Sequence, residues 1–304
     1  MLALVVVAAL LVAALAAVLI SDAAGGAPSR RAADPAGIEA GTTAAGAAGE
    51  ATAGASPSAT AVPSAAVPSP EIPGALAPGQ DVHGRVVVLD PGHNGGNGAA
   101  PAQIDRKVDA GGFQKECDTV GASTDSGYPE HAFTWDVVNR AAKVLRDRGV
   151  TVVLSRGDDT GVGPCVDARA RAGADAHADV AVSIHADGGP AAGSGFHVIA
   201  PDRAPDGVNA GILVASGRLA TQVRDAFAAT TGEPQANYLP THQGIVDRSD
   251  LGGLNLSTVP KVFVECANMR NPGDALRVDD PAWRQRAAAG IAAGVLRYLT
   301  SPTS

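Results

Sequence analysis

Arg85-Val-Val-Val-Leu-Asp90 is a continuous apolar run that ends on an acid, and Gly92 closes it. Such a run marks a strand covered on both faces, as strands are in a parallel sheet. Outward from it, from Pro91 to Gly127, Gly, Asp, Thr and Ser dominate, and the segment reads as a long surface loop. Loops of that length in a compact domain are usually functional or disordered. A helix then opens at Pro129, a residue suited to the first helical position, and runs to about Arg148 before Gly149 stops it. Phe133, Val137, Ala141, Val144 and Leu145 form its apolar stripe, with Asp136, Arg140, Lys143 and Asp147 on the wet face. Glu130 falls on the apolar stripe. Strands Val150–Ser155, Asp179–Ile184, Gly195–Ala200 and Lys261–Glu265 follow, separated by helices around Asp167–His177 and Ile212–Phe227. Asp280 and Pro281 cap and open a last helix that runs to about Leu299. This alternation predicts a single α/β domain with a mostly parallel twisted sheet flanked by helices.

The chain of 304 residues is long enough for two domains, but residues 23–80 are dominated by Ala, Gly, Pro, Ser and Thr, with almost no large apolar side chain and no aromatic. They cannot bury enough surface to offset chain entropy, so they read as a disordered linker before a folded domain at 81–304. Met1–Ile20 is apolar and uncharged, which makes residues 1–22 a signal peptide or membrane anchor and places the domain outside the cytoplasm. A net charge of −8 without a Lys/Arg cluster argues against nucleic acid or anionic lipid headgroups as partners. Membrane contact is expected only through the N-terminal segment, and the domain reads as a monomer. In an oxidising compartment two of the three cysteines should pair. Cys117 and Cys165 lie in Gly-rich loop segments, whereas Cys266 ends an apolar strand as a small buried hydrophobe, so a Cys117–Cys165 disulfide is expected.

Sites in open α/β sheets gather at the carboxyl ends of strands. His93, His185 and Glu265 sit at or just past such ends, and Glu130 opens the helix on its buried side. A carboxylate aimed into apolar surroundings is costly unless a cation or hydrogen bonds compensate it. Two imidazoles and one carboxylate make a zinc set that leaves a coordination position open. Zinc lowers the pKa of a water there from about 15.7 to about 7, and a nearby carboxylate then acts as general base and later as acid. Each residue has a plainer reading. Glu265 also suits a core carboxylate paired with Arg248 or Arg270, and His131 rivals Glu130 but lies a step round the helix, toward solvent. Asp90, three residues before His93, suits a ligand, but is expected rather to accept the N–H of a ligand imidazole. Asp105, Asp109, Glu116 and Asp118 in the long loop read as solvated.

Leu89-Asp-Pro-Gly-His93, Glu130, Ser183-Ile-His185-Ala-Asp187, and Val259-Pro-Lys-Val-Phe-Val-Glu265 followed by Asn271-Pro272 occur together and in order. This resembles the zinc-dependent N-acetylmuramoyl-L-alanine amidases of the type-3 family, in their actinobacterial form, over about Arg85 to Leu299. The resemblance implies one Zn2+ per chain on His93, Glu130 and His185, with Glu265 as the catalytic carboxylate. It also implies that Arg156, and Arg169 or Arg171, match basic positions of the family pattern that are structural or contact substrate. Ala174 and Ala267 replace an Asn and a Gly usual in that pattern, and neither supplies the metal or the base. The implied reaction is hydrolysis of the amide between N-acetylmuramic acid and L-alanine in peptidoglycan or muropeptides. A zinc peptidase cutting within the stem peptide and a catalytically silent wall-binding protein are the rival readings.

Overall fold

A computed structural model describes residues 81–301, and the expected N-terminal segment and linker lie outside the described residues. In chain order the elements are β1 (Val86–Pro91), α1 (Pro101–Ile104), β2 (Lys107–Asp109), β3 (Gln114–Glu116), α2 (Glu130–Arg146) and β4 (Thr151–Leu154). Next come α3 (Val166–Asp175), β5 (Val180–Asp187), β6 (His197–Pro201), α4 (Leu213–Thr231), β7 (Ile245–Arg248) and α5 (Gly252–Asn255). The chain closes with β8 (Lys261–Asn268), α6 (Pro272–Asp279) and α7 (Pro281–Thr300). Six strands form one sheet in the order β4-β1-β5-β8-β6-β7. Its pairings are parallel except where β6 runs antiparallel to β8, so the expected mostly parallel sheet is found.

Successive side chains of a strand go to opposite faces, and here the two faces differ in chemistry. Val87 and Leu89 of β1, Val180, Val182 and Ile184 of β5, and Val262 and Val264 of β8 join one core with α2, α4 and α7. This layer holds the largest buried side chains, including Phe133, Phe227 and Trp283. The opposite face, toward α3 and α5, has only a small apolar cluster around Val88, Ala178 and Ala181. By the same alternation it carries Asp90, Ser183, His185, Lys261, Phe263 and Glu265. As far as His185 and Glu265, the polar side chains of β1, β5 and β8 thereby leave the same face of the sheet.

The helix starts follow from their caps. Asp280 accepts the backbone N–H groups of Ala282 and Trp283 at the start of α7, as expected, and Asn271 does the same for Gly273 and Asp274 at α6. The segment Pro91–Gly127 departs from its reading as a surface loop. It folds into a 3-10 turn, α1 and the antiparallel hairpin β2–β3. Asp105 and Asp109 are exposed as expected, but some of its polar residues turn inward: Asn97 is buried, accepts the Gly163 N–H and donates to the Thr119 carbonyl. The expected Cys117–Cys165 disulfide ties the segment to the start of α3, and Cys266 is free and buried. The elements β7, α5 and α6 have no counterpart in the sequence reading; none is long enough to show a hydrophobic period.

Candidate active site

β1, β5 and β8 end side by side, and the N-terminus of α2 comes over their carboxyl ends. His93 stands two residues past β1 with φ 58°, a left-handed backbone that is uncommon for histidine. His185 leaves β5, and Pro129 in extended geometry starts α2 so that Glu130 enters on its first turn. Glu130 Oε1 lies 2.9 Å from His185 Nδ1, and Glu130 Oε2 lies 3.2 Å from His93 Nε2. The backbone N–H groups of Ala122 and Ala186 also donate to this carboxylate, at 2.7 and 3.1 Å. Two glycines make room for the rings. A Cβ at Gly92 would stand 2.2 Å from His185 Cε1, and one at Gly121, whose φ is +82°, would stand 2.7 Å from His93 Cδ2. His185 stacks on Phe263, with centroids 5.2 Å apart.

One donor atom from each of His93, Glu130 and His185 fits within a mutual distance of 4.8 Å. Two imidazoles and one carboxylate at that spacing suit a zinc ion with an open position. The local electrostatics agree. Burial by itself would raise the Glu130 carboxyl, but the two imidazoles outweigh it and hold the group well below the usual carboxylate range. Burial likewise opposes a charged His93, yet Glu130 and Asp118 raise its pKa to about 10. The cluster attracts positive charge.

Glu265 is the direct register partner of His185 across β5–β8. Its Oε2 is buried and has no hydrogen-bond partner, so the salt-bridged reading with Arg248 or Arg270 does not hold. Arg248 instead takes Asp250 in a two-pronged pair at 2.8 and 2.7 Å. Burial, then repulsion from Glu130 and Asp187, pushes the Glu265 carboxyl well above its ordinary range. His93, Glu130, His185 and Glu265 line one cavity of about 610 Å³, whose wall also includes Asp125, Arg248 and Arg270.

Three residues singled out in the sequence sit elsewhere. Asp90 does not reach an imidazole: its carboxylate takes Ser155, Ser183 and Arg169, with Lys261 Nζ at 3.4 Å. Burial favours a neutral Asp90, but Lys261 and Arg169 prevail and keep it ionised. Arg171 is on the surface, 3.1 Å from Asp167, and away from the cavity. Arg156 is buried under Trp135 and donates to the carbonyls of Pro91 and His131, which makes it a brace for the His93 turn. His131 is half-buried against Asp159 at 2.9 Å and supplies no atom to the cluster. Asp118, read as solvated, is buried beside His93, and Arg169 rather than Arg171 is the arginine that reaches this network. Sequence reasoning also missed Lys261, wholly buried; its position on the same strand face as Phe263 and Glu265 was the available signal.

A profile for N-acetylmuramoyl-L-alanine amidases matches residues 87–297. The chain belongs to that amidase family. An N-acetylmuramoyl-L-alanine amidase of Mycobacterium tuberculosis is 43% identical over 222 residues, which is 73% of this chain and 89% of that protein. Among solved structures, the amidase Ami1 from Mycobacterium smegmatis is 43% identical, with TM-score 0.68 over 73% of this chain and all (100%) of the other. Ami1 from Mycobacterium abscessus is also 43% identical, with TM-score 0.66 over 72% of this chain and 100% of the other. The family match thus runs from within β1 into α7 and includes His93, Glu130, His185 and Glu265.

Proposed function

We propose that this domain hydrolyses the amide joining the lactyl group of N-acetylmuramic acid to L-alanine, in peptidoglycan or its fragments, with one zinc ion. His93, Glu130 and His185 hold the ion, and Glu265 handles the proton. The observation that carries this reading is the buried, unpartnered Glu265 Oε2 on the strand position paired with His185. When bound, zinc supplies Lewis-acid polarisation of the scissile carbonyl and acidifies water. Glu265 takes the proton of the attacking water and passes it to the leaving nitrogen as the C–N bond breaks. The products are a carboxylate on the lactyl side and a free amine on L-alanine. Phe263 and the glycines at 92 and 121 keep the rings packed, so the donor atoms face the cavity with little freedom. An extracytoplasmic location reached through the N-terminal apolar segment fits a wall substrate.

The test is mass spectrometry of purified muropeptides after incubation with the protein, with and without a chelator. The expected products separate the intact sugar from a peptide that begins with L-alanine, and they vanish with chelator and return with zinc. Fragments cut inside the stem peptide would show a peptidase instead. Retention of peptidoglycan without any product would show a wall-binding protein.

A further inference from the structure

Asp118 directly follows the disulfide cysteine Cys117, and its Oδ1 lies 3.4 Å from His93 Nδ1. The Thr119 carbonyl oxygen lies 3.1 Å from the same nitrogen. A carbonyl oxygen only accepts, so Nδ1 carries a proton, and Nε2 is the one ring nitrogen that can offer a lone pair to a metal. Nε2 is the nitrogen that faces Glu130. Asp118 itself is not free to move. Arg169 Nη2 donates to Asp118 Oδ2 at 3.0 Å and to the His93 carbonyl at 2.8 Å. Its Nη1 donates to Asp90 Oδ1 and to the Pro91 carbonyl, and its Nε to the Pro164 carbonyl. Every donor of this buried guanidinium is therefore used, and two of the bonds fix the backbone on either side of the Gly92 turn. The Val166 N–H donates to the Cys117 carbonyl, so the segment that carries Asp118 is anchored beside the disulfide.

We propose that Asp118, locked by Arg169, is a positioning residue for the metal ion: with the Thr119 carbonyl it sets the tautomer and angle of the His93 ring and strengthens Nε2 as a donor. The inference rests on the reading of His93 as a ligand. Its test compares Asp118→Ala and Asp118→Asn with the unaltered chain, with His93→Ala as control. Zinc affinity is measured by chelator competition, the cobalt-loaded protein by its visible absorption, and the zinc-free protein by thermal melting. Zinc affinity is expected to fall about 10- to 100-fold in Asp118→Ala, within the range for loss of such partners. In Asp118→Asn, which keeps an acceptor but not the charge, the fall is smaller. The cobalt bands shift in both, while zinc-free melting of Asp118→Asn, which keeps an acceptor for Arg169, holds near that of the unaltered chain. Should Asp118→Ala fail to fold, Asp118→Asn decides. Affinities within about twofold of the unaltered chain, with His93→Ala losing zinc, would overturn the proposal and leave the ligand reading intact. A loss matched by an equal fall in zinc-free melting would overturn it as well, by showing a purely structural role. Unchanged zinc binding in His93→Ala would sink both.

Discussion

His185 and Glu265 are direct register partners on adjacent parallel strands, so both side chains leave the same face of the sheet about one strand spacing apart. His185 turns to Glu130, whereas Glu265 keeps an oxygen with no partner. In the proposed function, metal holding and proton handling fall to different side chains. The two roles are therefore separable by mutation.

The ligand set should behave as a unit. His93→Ala, Glu130→Ala or His185→Ala is expected to cut zinc content sharply in metal analysis of the purified protein. His131→Ala, whose ring is held by Asp159, should stay near one zinc per chain. Loss of metal in His131→Ala with retention in Glu130→Ala would contradict the assignment of the helix face.

Much of this was legible in the sequence because each site residue ends or opens a strong element. The apolar run before Asp90 and the stripe of α2 placed His93 and Glu130 without help from tertiary structure. What was not legible came from the segment between them. Asp118 sits among Gly, Thr and Ser, where polarity predicts solvent, and only the disulfide and the Arg169 clamp turn it inward. Asp90 was misread for a related reason. Sequence placed it three residues from His93 but could not show that Lys261 and Arg169, from distant segments, claim its carboxylate first.

The disulfide spans a separation of 48 residues, and it links the two segments that carry Asp118 and Pro164. Alkylation without reductant followed by intact mass should reveal one free thiol, Cys266. Replacing Cys117 and Cys165 by serine should lower unfolding free energy by about 2–4 kcal/mol in denaturant titrations. Three free thiols in the unreduced protein would refute the pairing.

Glu233 gives the domain a pH dependence away from the metal cluster. Burial, then the neighbouring Asp274, raises its carboxyl from 4.5 to about 7, against the opposing pull of Arg277. The folded state therefore binds this proton more tightly than the unfolded chain. Stability from this group is full below about 4.5 and is lost as pH rises through about 7. Denaturant midpoints at about pH 5 and pH 8 should fall further for the unaltered chain than for Glu233→Gln, which cannot ionise. Equal changes in the two proteins would show that Glu233 does not carry the effect.

The central claim is that Glu265 moves the proton and does not hold the metal. Glu265→Gln keeps the shape of the side chain and removes the proton acceptor. The deciding measurement is turnover of a defined muropeptide by this variant, read beside its zinc content and melting temperature. With fold and zinc retained, turnover should drop by at least about a hundredfold, the lower end for loss of acid–base help. Normal zinc with near-normal turnover would contradict the account and place the base elsewhere.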